Sequence, residues 1–394
     1  MKPLLLLLAT ITVASSSDYD IVKSMESYRQ EQLKNISIAH QQNSAIVEQN
    51  RLYYTKISQA ATAYYRDFVS KKWGDENVKL SNVTTFTQYS DNLNERQSVD
   101  FKNGIVSIEV ISDEKSVVKP QYFEKSIKKL TKESLSEATK KDPVAALENR
   151  YLEKKSITTA TKTKDKSKFL EGYIKPVKIT KKDIKRKSVT LNNGEKKLIT
   201  YVDVKMVPDH LEKRALKYKP MVLKKAKEYG VEPSTILATI QTESYFNPLA
   251  KSHVPAYGLM QIVPTTAGVD AYYALTKKKK LLSPDYLYDA DNNIELGSKY
   301  IQIVRDNYLR GIKDERSKFY CAATSYNAGI GSLIYSFTGS KKKRTEAIKM
   351  INNMSPQAVY KHLRTSKRLT HEARNYVKSI KSRSENYKAW DKEV

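Results

Sequence analysis

The spacing of apolar residues changes twice along the chain. From Asp18 to about Ser70 they recur every three to five positions, as in Ile21, Met25, Tyr28 and Leu33, then Tyr53, Ile57, Ala61, Tyr64 and Phe68, with no proline or glycine between. That rhythm predicts one or two amphipathic helices, closed at Trp73-Gly74. The period then shortens to two. Ser98-Val99-Asp100-Phe101-Lys102 runs into Asn103-Gly104 and continues over 105–111, and Val189-Thr190-Leu191 runs into Asn192-Asn193-Gly194 and returns over 198–206. Asn-Gly between β-branched runs predicts a hairpin each time, and both hairpins are assigned to one antiparallel sheet. Between them helices are expected near 122–141 and 143–155, and the Thr/Lys-rich stretch 156–168 reads as a solvated loop or partly disordered insert. After Pro208 the helical period takes over. It predicts helices at 210–229, stopped by Gly230, and at about 233–244, 263–276, 291–309, 317–326, 328–337, 343–351, 355–361 and 370–383. The expected fold class is α+β: a mixed N-terminal domain with an antiparallel sheet over 18–207, then an all-α domain over 208–394.

One polar residue breaks the helical pattern in an informative way. Ile236, Ile240 and Glu243 are spaced i, i+4, i+7, so an acid shares the apolar face of the 233–244 helix just before Asn247-Pro248 forces the chain out of it. A carboxyl on a buried face should have a raised pKa, which suits a general acid for cleaving glycosidic bonds. The alternative is an acid near a helix end that simply reaches solvent.

Composition narrows the setting. The 394 residues allow two or three domains, and a formal net charge of +27 favours a polyanionic partner: nucleic acid, an anionic membrane surface or an anionic wall polymer. Lys2 followed by the apolar run from Leu4 to Ala14 and then Ser15-Ser16-Ser17 reads as a secretory signal peptide over 1–17. Export to the periplasm removes nucleic acid from the expected partners. The single cysteine, Cys321, allows no disulfide within one chain and provides no lipid-attachment cysteine near the leader. No Cys/His spacing suggests a zinc site, and no cofactor is expected. Asp289-Ala290-Asp291-Asn292-Asn293 imitates the start of a calcium loop, but Ile294 and Tyr300 stand where glycine and glutamate are needed. Asp291 is read instead as a helix cap, and Asp270 and Glu295 as capping or surface acids. The basic runs 277–280 and 341–344 are read as solvated surface, or as patches held against an anionic wall or membrane.

Downstream of Glu243 stand Ser252, then Tyr257-Gly258-Leu259-Met260-Gln261, then Ser325-Tyr326-Asn327-Ala328-Gly329, then His371-Glu372-Ala373-Arg374-Asn375-Tyr376-Val377. In this order they resemble the soluble-lytic-transglycosylase catalytic domain, which has a goose-type-lysozyme-like fold. The resemblance covers about 208–385. Upstream, Trp73-Gly74, Tyr89-Ser90-Asp91-Asn92-Leu93 and Val99-Asp100-Phe101-Lys102-Asn103-Gly104 resemble the accessory domain of the membrane-bound lytic murein transglycosylase C family, as does Ser283-Pro284-Asp285-Tyr286-Leu287-Tyr288-Asp289. That family is usually lipid-anchored through an N-terminal cysteine, which this chain lacks.

The resemblance implies that Glu243 protonates the glycosidic oxygen between N-acetylmuramic acid and N-acetylglucosamine and then takes the proton of the muramoyl 6-hydroxyl, closing a 1,6-anhydro ring without water. It implies that Ser252 and Gln261 bind sugar or N-acetyl groups, with a helix cap and a polar core residue as their other readings. It implies that Met260 belongs to the groove floor, that Tyr326 orients Glu243 or steadies the oxocarbenium ion, that Asn327 holds the following turn and touches substrate, and that Tyr376 faces the cleft beside the acid. The partner would be peptidoglycan glycan strands. A hydrolytic muramidase on the same fold and a non-catalytic wall-binding protein are the alternatives.

Overall fold

The structure, a computed structural model, describes residues 43–153, 158–159 and 166–394. The leader at 1–17, the helical pattern over 18–42 and most of the Thr/Lys-rich stretch lie outside the described residues. The first helix, α1 (Asn43–Trp73), ends at Gly74, whose φ of 74° turns the chain out of the helix. Three strands follow, β1 (Thr85–Tyr89), β2 (Glu95–Asp100) and β3 (Ile105–Asp113). Then come the helices α2 (Pro120–Lys132), α3 (Leu135–Lys140) and α4 (Pro143–Glu153), the two-residue strand β4 (Thr158–Thr159), and the strands β5 (Lys185–Thr190) and β6 (Lys196–Lys205).

The two hairpins do share one antiparallel sheet, ordered β1-β2-β3-β6-β5. Period-two alternation gives the sheet two buried faces. Val99, Val106, Ile108, Val202 and Val204 point into a core shared with the helical half of the chain, while Ile111, Val189 and Ile199 pack on Val69 and Trp73 of α1. Strand β1 is absent from the sequence reading because no Asn-Gly or Asp-Gly dipeptide announces it. Its turn is built by side chains instead, with Ser90 Oγ accepting from the Glu95 amide and Asn92 Oδ1 from the Asn94 amide.

The structure differs from the expectations in further details. The helix expected over 122–141 breaks at Glu133-Ser134, because Ser134 and Glu137 form a reciprocal capping box that starts α3 afresh. Within the Thr/Lys-rich stretch, β4 pairs in parallel with a second short strand, β7 (Leu281–Leu282). The helix expected from 263 begins only at Ala267, since the chain first turns with the Gly268 amide bonded to the Val263 carbonyl.

From His210 the described chain is mainly helical: α5 (His210–Tyr229), α6 (Pro233–Ser244), α7 (Ala267–Thr276), α8 (Pro284–Tyr288), α9 (Ala290–Gln302), α10 (Glu315–Ala328), α11 (Ile330–Thr338), α12 (Arg344–Asn352), α13 (Pro356–Thr365) and α14 (His371–Glu385). Helix α9 loosens into a π-helical turn over Ile303–Tyr308, so the single helix expected over 291–309 is two geometries in series. The α9 cap is Asp289, whose Oδ1 accepts from the Asn292 amide, and Asp291 lies inside the first turn. Glu295 is neither cap nor free surface: it pairs with Lys225 and accepts from the Tyr229 hydroxyl. The main core runs without interruption from Phe86 and Phe101 through Phe169 and Tyr218 to Ile236, Phe246 and Tyr257. A second core, with Leu333, Val359, Leu363 and Val377, belongs to the helices alone.

Candidate active site

The acid that broke the apolar pattern of α6 stands in its last turn, one residue before the end. Ile236 and Ile240 are fully buried, and Glu243 on the same face is only partly exposed. The helix stops abruptly. Tyr245 and Phe246 both adopt left-handed backbone conformations, with φ of 51° and 61°, which side-chain-bearing residues rarely occupy. Such strain costs about 1–3 kcal/mol per residue and persists only where surrounding contacts impose it. Those contacts are explicit. Phe246 stacks parallel to Tyr218 and meets Tyr387 edge-on. Arg214 Nη1 donates to the Tyr245 carbonyl. Arg383 donates to the Gln241 carbonyl at 2.9 Å and to the Tyr245 hydroxyl at 2.7 Å.

The Tyr376 hydroxyl, on α14, donates to Oε1 of Glu243 at 2.7 Å. Burial pushes the Glu243 pKa up to about 8, opposed by the Tyr376 hydrogen bond and reinforced by the negative charge of Glu372. Glu372 is the acid that sequence reasoning passed over. It stands in the quoted His371-to-Val377 motif four residues before Tyr376, hence on the same helix face, and that spacing was the available signal. Asn327 Nδ2 donates to Glu372 Oε1 at 3.0 Å and fixes its position. Arg383, seven residues beyond Tyr376, was missed in the same way.

The remaining predicted residues take places that differ in part from their expected roles. The Tyr326 hydroxyl donates to the Met260 carbonyl at 2.9 Å, not to Glu243, so the orienting bond belongs to Tyr376. Tyr326 nonetheless lies near enough to Glu243 for the carboxylate to raise its pKa further, after burial, the larger cause. Met260 is fully buried; it packs on Gly297, where an added Cβ would lie 2.3 Å from its sulfur. Gln261 has a φ of 48° and spends its Nε2 on the Ala250 and Gly258 carbonyls, both at 3.1 Å. Ser252 is not a helix cap. It sits in a short turn where its hydroxyl donates to the Val254 carbonyl and accepts from the Ala256 amide. Asn327 reaches Glu372 across to α14.

Gly258 lies between these residues with a φ of 76°, and an added Cβ would stand 2.5 Å from the Leu287 carbonyl and 2.3 Å from Asn293 Nδ2. Asn293 cannot move aside, because it bonds the Tyr257 and Leu287 carbonyls and the Met260 amide. Gly258→Ala should therefore lower stability by about 3 kcal/mol or more. Thermal unfolding would show this as a fall in Tm, and an unchanged Tm would mean that the loop is looser than described.

Among the described residues no group of three or more His, Cys, Asp or Glu side chains could hold a metal ion. No helix among them is long and apolar enough to cross a membrane.

The chain matches known proteins over most of its length. Residues 220–349 match the transglycosylase SLT domain, and residues 45–133 match the N-terminal domain of membrane-bound lytic murein transglycosylase C. The curated membrane-bound lytic murein transglycosylase C of Yersinia pestis (strain Pestoides F) is 33% identical over 345 residues, covering 81% of this chain and 86% of the relative. The protein of that name from Yersinia pseudotuberculosis serotype O:1b matches to the same extent. Among solved structures, an inactive mutant of lytic transglycosylase Slt from Pseudomonas aeruginosa aligns with a TM-score of 0.34 at 24% identity, over 44% of this chain and 24% of that one. The 70 kDa soluble lytic transglycosylase of Escherichia coli aligns with a TM-score of 0.36 at 26% identity, over 46% of this chain and 26% of that one.

Proposed function

Because the chain belongs to the membrane-bound lytic murein transglycosylase C family and is a peptidoglycan lytic transglycosylase, we propose that Glu243 acts alone as acid and then as base in cutting the bond between N-acetylmuramic acid and N-acetylglucosamine. The observation that carries this reading is the Glu243 carboxyl itself, its pKa raised to about 8 by burial and one of its oxygens engaged by Tyr376. At neutral pH the acid is protonated. With Oε1 accepting from Tyr376, the proton sits on Oε2, the oxygen left to meet the sugar. Transfer of that proton to the glycosidic oxygen breaks its bond to the muramoyl C1. The carboxylate left behind then takes the proton of the muramoyl 6-hydroxyl as that oxygen bonds to C1. The acid is regenerated, an anhydro ring closes, and water is neither consumed nor released.

A single carboxyl suffices because the attacking hydroxyl belongs to the same sugar. Well-oriented intramolecular reactions reach effective concentrations of roughly 10⁵–10⁸ M, so no second carboxylate has to activate a nucleophile. A hydrolytic muramidase would need one, and Glu372 is the acid whose charge reaches Glu243. In the proposed reaction Glu372 tunes the acid from its seat on Asn327, and Tyr376 orients it. Ser252, Gln261 and Asn327 line the glycan path, and Tyr326 and Met260 support it from below.

The products distinguish the readings. Mass spectrometry of digested peptidoglycan should show muropeptides one water lighter than hydrolytic products, each ending in anhydromuramic acid. Reducing-end muramic acid would replace this assignment with the muramidase.

The proposal extends to setting. The enzyme works in the periplasm on cell-wall glycan, with residues 18–207 as accessory domain and 208–394 as catalytic domain. The exposed basic runs 277–280 and 341–344 hold it against an anionic wall or membrane surface. Binding to isolated sacculi should then weaken as salt rises, and salt-independent binding would remove the basic runs from the account.

A further inference from the structure

Helix α4 belongs to the accessory part of the chain, yet it places one side chain under the turn that carries Ser252. Glu148 is fully buried. Its Oε1 accepts from Lys251 Nζ at 2.6 Å, and its Oε2 accepts from the Tyr257 hydroxyl at 3.0 Å. Lys251 and Tyr257 are the two ends of the turn, joined to each other as a bridge pair. Both are buried, with Lys251 at 8% and Tyr257 at 0% exposure. One carboxylate thus holds both ends of the segment that carries Ser252. The accessory part grips the same stretch of chain at a second point. Asn247 Nδ2 donates to the Val83 carbonyl at 3.2 Å, and the Lys251 amide donates to the Asn82 carbonyl at 3.4 Å.

A buried lysine–glutamate pair is a poor device for stability alone. Desolvating both ions offsets most of their attraction, and apolar residues of similar size often serve as well or better. What the pair does supply is direction, since a carboxylate with two named partners fixes where each of them stands. We propose that Glu148 is a positioning residue for glycan binding: through Lys251 and Tyr257 it sets the shape of the 251–257 turn, so the accessory part determines how tightly the groove holds a glycan strand. This inference rests on the proposed site, in which the turn lines the glycan path.

The test separates binding from chemistry and from folding. The double variant Glu148→Leu with Lys251→Met replaces the ion pair by apolar side chains of similar size and leaves no orphaned charge. It is made in full-length protein carrying Glu243→Gln, so that bound glycan is not cut, and affinity for soluble peptidoglycan glycan strands is measured by titration calorimetry alongside Tm. We expect Tm to stay within a few degrees of the Glu243→Gln parent and Kd to rise about tenfold or more. Restoring either residue alone should not return the parent affinity. A double variant that keeps its Tm and binds as tightly as the parent would overturn the positioning role while leaving the catalytic assignment intact. A loss of affinity matched by a large fall in Tm would also overturn it, by making the pair a folding element. Failure of the Glu243→Gln parent itself to bind glycan would instead strike the site reading on which the inference stands.

Discussion

Glu243→Gln should lose at least about a thousandfold in peptidoglycan cleavage while binding glycan strands nearly as well as the parent protein. Glutamine fills the same space and still accepts from the Tyr376 hydroxyl, but it has no proton to give and cannot take one back. The acid acts mainly in the transition state, so its loss falls on kcat and not on affinity. General acid–base groups contribute typically 10²–10⁴-fold, and here one group carries both halves of the reaction. A stability change accompanies the loss. The Glu243 pKa is raised in the fold to about 8 from an ordinary value of 4.5, so the folded protein holds a proton that the unfolded chain releases. Stability therefore falls as pH rises from about 4.5 to about 8 and stays lower above that. The glutamine variant escapes this penalty, and at pH 7 it should be more stable by about 1–2 kcal/mol, allowing for partial contact of the carboxyl with solvent. At pH 4 the two proteins should unfold together. A variant that cleaves at the parent rate, or that loses binding as steeply as turnover, would remove Glu243 from its catalytic place.

The pH dependence of cleavage carries the second large effect. The reaction starts from protonated Glu243, so kcat/KM should hold up to about pH 8 and then fall about tenfold per unit. Its two neighbours should move that limb in opposite directions. The Glu372 carboxylate raises the Glu243 pKa by repulsion, so Glu372→Gln should shift the limb to lower pH. The Tyr376 hydroxyl favours the ionised form, so Tyr376→Phe should shift it to higher pH while lowering the maximum, because the carboxyl is no longer held in one orientation. Rates measured with soluble glycan strands across pH 5–10 would reveal both shifts. A limb that stays put in both variants would mean that some other group titrates there.

Much of the fold was legible because the chain announces its elements locally. Asn103-Gly104 and Asn193-Gly194 fixed both hairpins, and Gly230 fixed the end of α5. What escaped depended on side chains that act across the structure. Strand β1 has a turn made by Ser90 and Asn92, and the break before α3 rests on the Ser134–Glu137 capping box, a pattern present in the sequence but overridden by the helical run around it. The site divides in the same way. Glu243 could be picked out by its spacing on an apolar face. Nothing local marks Tyr376 as the donor to Glu243, since the two residues stand 133 positions apart along the chain. Their motifs point Met260 to the groove floor and Tyr326 to the acid. Their packing, which puts the methionine against Gly297 and the tyrosine hydroxyl on the Met260 carbonyl, depends on three elements meeting. Glu148 had no local signal at all: an acid on a lysine-rich stretch reads as surface until the fold carries it beneath Lys251.

The central claim is that one carboxyl does the work of two because no water takes part. Digestion in water enriched in heavy oxygen tests this directly. Mass spectrometry of the first products should show anhydromuramic ends that carry no label. Heavy oxygen at C1 of newly formed muramic acid ends would contradict the account, because it would show water attacking where the 6-hydroxyl should.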